Sequence, residues 1–383
     1  MGRRDFVAGL TASCAGCALA GPGALGAEPL QDPFRPAGPL PTEEGGLNPV
    51  AARWNRPLEN GWVECGVFPR ACRIAEGERG TCGTRENRKG RLYTLVHSRP
   101  CALGLDPVEK KPFFHVLPGA TALSLATPGC NLDCRCCQNW EIAQARPEQV
   151  KTMSLPPAEV VALARQKSAP LIACTYTEPV VFAEYALDIA QAGRRAGLRT
   201  LLISNGYVQE QPLAELCREI AAYKVDLKGF DEAFFRRHTG GELKHVLATL
   251  RRLRVHGTWT EVVYLVIPGQ NDSDAEARAL ARFIRDEVGP ETPLHFTRFH
   301  PSYRLQNVPS TPVATLDRCR AVAMAEGLKF VYLGNVPGHP GESTYCPGCS
   351  RVLIRRVGMA VAENRMRGGA CPDCHRRIPG VWS

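Results

Sequence analysis

Cys130-Asn131-Leu132-Asp133-Cys134-Arg135-Cys136-Cys137-Gln138-Asn139 follows the apolar run Thr121 to Thr127 and the turn Pro128-Gly129. Within it, Cys130, Cys134 and Cys137 form a C-x3-C-x2-C set. Three thiolates on one short loop suit three irons of a [4Fe–4S] cube, because soft sulfur ligands favour such clusters. Apart from Cys136, no fourth cysteine stands nearby at ligand spacing. One iron would then keep an open coordination position. By the logic that separates catalytic from structural zinc, an open position is where chemistry happens. A zinc knuckle is the bland reading of the same three residues.

Outward from this loop, strands and helices alternate. Apolar, β-branched runs fall at 121–127, 171–176, 198–204, 223–227, 260–268, 293–299 and 329–333. Amphipathic stretches at 157–167, 183–196, 212–222, 243–256, 274–288 and 314–327 lie between them. Such repetition predicts an α/β fold: a parallel sheet with crossover helices, as an open, partial (β/α)6 TIM-like barrel. Chemistry in barrels sits on loops at the carboxyl ends of the strands. The polar motifs fall there: the cysteine loop, then Thr175-Tyr176-Thr177-Glu178-Pro179, Ser204-Asn205-Gly206, Asp226-Leu227-Lys228-Gly229, Pro268 to Asp272, and Gly334-Asn335. His295, Arg298, His300 and Tyr303 form a late polar group that is a candidate substrate region.

The cysteine loop resembles that of radical S-adenosylmethionine (SAM) enzymes. Glu109-Lys110-Lys111-Pro112, Thr127-Pro128-Gly129-Cys130-Asn131 and Gln138-Asn139-Trp140 are similar to the AmmeMemoRadiSam branch, a relative of the pyruvate formate-lyase activating enzymes. The resemblance runs from about Trp62 to Trp382. It implies a [4Fe–4S] cluster on Cys130, Cys134 and Cys137 whose open iron binds SAM. It also implies a low-potential electron donor such as flavodoxin or ferredoxin, and leaves a protein substrate open. Thr175 to Pro179 resembles the motif that meets the SAM amino group, which casts Glu178 as its partner. Ser204 and Asn205 resemble the contacts to SAM ribose and carboxylate, and Asp226 with Lys228 the pair lining the same cleft. Gly334-Asn335 would let adenine approach a bare backbone. Cys136 stands where the family usually carries an aromatic residue and reads as a bystander.

The 383 residues hold 17 cysteines, in ligand-spaced groups that read as metal sites more than as disulfides. Cys346-Pro347-Gly348-Cys349 and Cys371-Pro372-Asp373-Cys374 predict a small zinc-ribbon-like module, with structural zinc or a rubredoxin-like iron. Cys65, Cys72 and Cys82 resemble an N-terminal knuckle of the family that has four cysteines, but Phe68 occupies the second position. Cys174, Cys217 and Cys319 fall in apolar segments and read as ordinary buried residues. The net charge of +9 is scattered, without the clustering and interleaved aromatics that nucleic-acid binding requires.

The expected organisation is a twin-arginine signal at 1–27 (Arg3-Arg4 before an uncharged stretch), a linker at 28–60 with seven prolines, and a cysteine-containing segment at 61–120. The barrel at 121–340 and the ribbon at 341–383 complete it. The signal predicts export to the periplasm or cell exterior, with the cytoplasm as the alternative, and no integral membrane span is expected. The function implied is reductive cleavage of SAM to a 5′-deoxyadenosyl radical that abstracts hydrogen from a substrate. Its rivals are an activase for a glycyl-radical enzyme and a non-catalytic Fe–S or zinc scaffold or electron carrier.

Overall fold

Seven largely buried strands explain why the apolar runs were so continuous: a parallel sheet covered on both faces has little solvent side to alternate with. The computed structural model describes residues 42–44 and 46–383, so the expected signal and most of the linker lie outside the described residues. The main sheet comprises β1 (Ala102–Pro107), β2 (Thr121–Ala126), β3 (Leu171–Cys174), β4 (Arg199–Ser204), β5 (Ala222–Leu227), β6 (Trp259–Val266), β7 (Leu294–Arg298) and β8 (Val331–Gly334). Their spatial order is their chain order. β2 to β8 are parallel, and β1 pairs antiparallel with β2 from Ala102 opposite Ala126 to Pro107 opposite Thr121. The expected α/β architecture with a mostly parallel sheet therefore stands. The antiparallel edge strand was not anticipated.

Helices α1 (Pro157–Gln166), α2 (Ala183–Arg195), α3 (Glu210–Cys217), α4 (Glu232–Thr239), α5 (Leu243–His256), α6 (Asp274–Phe283) and α7 (Val313–Ala325) fill the crossovers. In α5, Leu243, Val246, Leu250 and Leu253 recur at helical spacing and are buried, and Gly257 in a left-handed conformation ends the helix. α4 was not predicted. It is capped by Asp231, whose side chain accepts the Phe234 amide, and it ends at left-handed Gly240.

Below the sheet's amino edge, Val108, Phe113 and Val116 pack with Ala122, Leu171, Leu201 and Ala222 as a plug. The stretch expected to be a linker contributes strands Val50–Ala51 and Asn55–Pro57; the latter pairs with Val63–Cys65. After the barrel, β9 (Thr344–Tyr345), β10 (Val352–Val357) and β11 (Ala360–Asn364) form an antiparallel three-stranded sheet. Among the described residues no helix is long and apolar enough to cross a membrane.

Candidate active site

The cysteine loop leaves β2 at the carboxyl edge of the sheet and is tied down along its length. Asp133 and Arg135 donate backbone amides to Thr239 O (2.8 Å) and His238 O (2.9 Å) at the end of α4. Gly129 N donates to Ile142 O (2.9 Å), and Gln144 Nε2 to Leu132 O (3.1 Å). Gly129 has φ 98°, and a Cβ there would meet Thr84 Cγ2 at 2.6 Å and Cys82 O at 2.8 Å. Glycine is thus required by the N-terminal segment packed behind the loop.

The Cys130, Cys134 and Cys137 thiols are pushed up first by burial, while Lys228 draws all three down. Three soft, partly buried donors with a lysine beside them fit a cationic iron–sulfur centre, which would ionise them on binding. Cys136 packs against the apolar group of Phe234, Ile267, Phe299 and Leu305.

Glu178 follows β3 and is 2 % exposed. Its Oε1 accepts from Ser204 Oγ (2.7 Å) and Val180 N (3.1 Å), and Oε2 from Asn205 N (2.8 Å). Burial raises its carboxyl to about 7; the hydrogen bonds pull it down, and Asp226 adds to the rise. Asn205 Nδ2 donates to Asn131 Oδ1 (2.7 Å), and Asn131 Nδ2 to Tyr207 O (2.8 Å). The glutamate and the cysteine loop are therefore joined through Asn205 and Asn131. Asn131 was legible only as part of the loop motif and was not assigned a role from sequence.

Ser204 Oγ also accepts from Tyr223 OH (2.8 Å) and Gly206 N (3.0 Å). With its hydroxyl donated to Glu178, it orients that carboxylate.

Asp226 lies 3.1 Å from Lys228 Nζ and 2.7 Å from Lys224 Nζ. Burial alone would raise it, but the two lysines outweigh burial and hold it down to about 2. Burial likewise opposes the Lys228 charge, yet Asp226 and the thiols of Cys134 and Cys136 keep it above the usual lysine range. Lys224 was missed because an isolated lysine inside an apolar strand gives no motif.

Asn335 stands farther along the mouth, with φ 61° and its Nδ2 donating to Arg298 O (3.1 Å). At Gly334 a Cβ would meet Thr297 Cγ2 at 2.7 Å, so neighbouring strand packing already demands the bare backbone. His295 departs from the expected substrate region. It is the second residue of β7, at the opposite end of the strand from Arg298, 1 % exposed, with Nε2 2.7 Å from Glu261 Oε2.

The four C-terminal cysteines converge, with all Sγ atoms within 4.8 Å of one another. Cys346 to Cys374 is 3.5 Å and Cys349 to Cys371 is 3.7 Å, far beyond a disulfide at about 2 Å. The two knuckles repeat one geometry. Cys346 N donates to Arg351 O and Cys371 N to Arg376 O, both at 2.9 Å, while left-handed Ser350 and His375 close the turns.

A profile described as the radical SAM superfamily matches residues 124–281, from β2 through α6. An uncharacterized protein of Methanocaldococcus jannaschii is 43% identical over 305 residues, covering 80% of this chain and 91% of that protein. The chain belongs to the radical SAM superfamily.

The pyruvate formate-lyase 1-activating enzyme of Escherichia coli K12 is 24% identical to this radical SAM protein over 221 residues, 53% of this chain and 89% of the relative. A solved radical SAM methyltransferase from Sphaerobacter thermophilus has a TM-score of 0.45 at 17% identity, covering 78% of this chain and 81% of that chain. The superfamily implies a [4Fe–4S] cluster and SAM, and the chain is a radical SAM enzyme. When bound, the cluster supplies the electron that splits SAM to methionine and a 5′-deoxyadenosyl radical.

Proposed function

We propose that Cys130, Cys134 and Cys137 hold the cluster and that Glu178 receives the SAM ammonium in an enzyme of the AmmeMemoRadiSam branch. The observation that carries this is the buried chain Glu178–Asn205–Asn131, which fixes an unneutralised carboxylate beside the cysteine loop. An ammonium is the natural partner of such a carboxylate. In this reading Ser204 and Asn205 orient Glu178, while Asp226 and Lys228 line the cleft and Lys228 offsets thiolate charge. Gly334 and Asn335 form its far rim, and the buried surroundings exclude water from the reacting atoms. The four ribbon cysteines hold zinc, a closed site that supplies folding energy and no catalysis.

The test is anaerobic cluster reconstitution, reduction in the presence of SAM, and quantification of 5′-deoxyadenosine. Wild type should cleave SAM, and Cys130→Ala, Cys134→Ala and Cys137→Ala should each fail. A reconstituted wild type that holds a cluster and never cleaves SAM would return the protein to the scaffold reading. A second reading, activation of a glycyl-radical enzyme, is favoured by the relatives named as activating enzymes. It requires a glycyl radical to appear on a partner protein.

A further inference from the structure

Three residues beyond Cys137, Trp140 is 41% exposed and lies flat on Tyr303, with centroids 5.1 Å apart and planes 11° from parallel. The Arg304 guanidinium sits 4.6 Å from the centroid of the same Tyr303 ring. This stack is fastened to the cysteine loop itself. Arg304 N donates to Arg135 O (2.9 Å), Ser302 Oγ to Cys137 O (3.3 Å), and Arg304 NH1 lies 2.7 Å from Asp133 Oδ2. Tyr303 holds its place with φ 48°, a left-handed conformation that an aromatic residue adopts only when its surroundings impose it. Trp, Tyr and Arg are the side chains most enriched at the energetic centres of protein interfaces.

Charge on the cysteine loop and the end of α4 that it meets is unbalanced towards positive. Asp133 is paired with Arg304, and Glu232 with Arg236 at 3.6 Å. Arg135, Arg237 and Arg70, whose NH2 donates to Gly240 O (2.9 Å), remain without an acidic partner among the described residues, against Glu141 beside Trp140. We propose that the Trp140–Tyr303–Arg304 stack and its arginine surround dock an acidic one-electron carrier protein, placing its redox group against the outer side of the cysteine loop. The proposal rests on the reading that this loop holds the cluster. In the step, one electron leaves the carrier and enters the cluster. The carrier is oxidised by one electron, the cluster is reduced by one, and no atom or proton is exchanged.

The experiment compares two reductants on reconstituted full-length protein: dithionite, which needs no docking site, and flavodoxin hydroquinone, an acidic carrier. Three quantities are measured: flavodoxin affinity by calorimetry, the rate of cluster bleaching without SAM, and 5′-deoxyadenosine formation. Trp140→Ala and Arg304→Gln, which avoids setting a second carboxylate against Asp133, should each weaken flavodoxin binding and flavodoxin-driven bleaching by about tenfold or more. Both should leave iron content and dithionite-driven cleavage as in wild type. Arg355→Glu, on β10 of the ribbon, should change nothing. Wild-type affinity should fall with added salt.

Equal loss with both reductants would overturn the proposal, because the stack would then serve the cluster or the substrate. Unchanged flavodoxin binding in both variants would overturn it too, as would a wild type that dithionite reduces and flavodoxin does not bind. A wild type that takes up no cluster fails the functional reading itself, and the docking proposal with it.

Discussion

Glu178 is a carboxylate that three donors hold in place and that pairs with no cation among the described residues. Burial pushes it up to about 7, so without SAM it is largely protonated below that pH. An ammonium binds the ionised form. SAM affinity should therefore fall roughly tenfold per pH unit once the pH drops below the Glu178 value, and level off above it. Glu178→Gln should weaken SAM binding by about 10- to 100-fold, the worth of a charged hydrogen bond, and flatten the pH dependence. Calorimetric titration of SAM from about pH 8 to about pH 6 checks this, and a flat wild-type profile would remove Glu178 from the ammonium site. Two residues earlier, Tyr176 has φ 64°, accepts from Asn139 Nδ2 (2.8 Å) through its carbonyl, and donates its hydroxyl to Asp106 Oδ2 (2.5 Å). Lys111 also pairs with Asp106 and lies 4.4 Å over the Tyr176 ring. A Cβ at Gly104 would meet the Tyr176 hydroxyl at 2.6 Å. Gly104→Ala should cost about 1–3 kcal/mol by overpacking, read as a drop in the urea midpoint. Much of it should return in the Gly104→Ala/Tyr176→Phe double variant, because the clash is with the oxygen alone. An additive double variant would show that the strain lies elsewhere.

At the scale of elements, legibility followed burial. β2 to β8 were readable because both faces are largely covered and their sequences are mostly apolar, with charged residues such as Lys224 and Glu261 only as isolated interruptions. β1, Ala-Leu-Gly-Leu-Asp-Pro, carries the glycine, aspartate and proline that normally argue against a strand. It tolerates them at a sheet edge, where Gly104 makes room for Tyr176 and Asp106 gathers Lys110 and Lys111. α4 escaped notice because eight residues give too few turns for a clear period. His295 was misplaced by chain position alone; counting along β7 puts it at the amino end, away from every motif at the mouth. The convergence of the four C-terminal cysteines was legible from spacing, but the attachment of their segment was not. Arg356 on β10 is buried against Glu109 (3.3 Å), donates to Phe114 O (2.7 Å), and lies 4.1 Å over the Phe114 ring. Removing one partner of a buried pair strands the other. Arg356→Met should therefore destabilise the protein by about 3–5 kcal/mol in urea denaturation. A loss below about 1 kcal/mol would mean the pair is solvated in solution. If the four C-terminal cysteines hold a metal as proposed, a chelator should lower stability without touching the cluster spectrum, because the two thiol sets share no ligand.

Across the whole molecule, one directed line of hydrogen bonds links the ribbon, the sheet and the chain's end. Arg356 NH1 donates to Thr344 Oγ1 (2.9 Å), which lies 3.0 Å from Tyr332 OH, itself 2.6 Å from His115 Nε2. His115 Nδ1 lies 2.7 Å from Pro379 O. A carbonyl only accepts, so Nδ1 carries a proton, and in the neutral ring that burial favours Nε2 accepts from Tyr332. Burial pushes it down to about 4 from an ordinary 6.5, although Glu261 opposes that. The unfolded chain thus takes up a proton near 6.5 while the folded one resists until about 4. The stability due to a neutral His115 is complete above the upper value and is lost as pH falls between the two, by about 3 kcal/mol in all. Asp106 and Asp226, both held below their ordinary values, act only at lower pH, while Glu178, raised from 4.5 to about 7, titrates inside this window with the opposite sign and does so equally in wild type and in a His115 variant. Protonation would also turn Nε2 into a donor facing a hydroxyl already donating to it, so the line must reverse or break. Glutamine can donate and accept at the same place without titrating. His115→Gln should therefore lower stability overall yet flatten its decline between about pH 6.5 and pH 4, measured by urea midpoints under one buffer series. If wild type and variant fall in parallel, the acid sensitivity belongs to the other buried histidines, His295 first among them, and not to the line that joins ribbon to barrel.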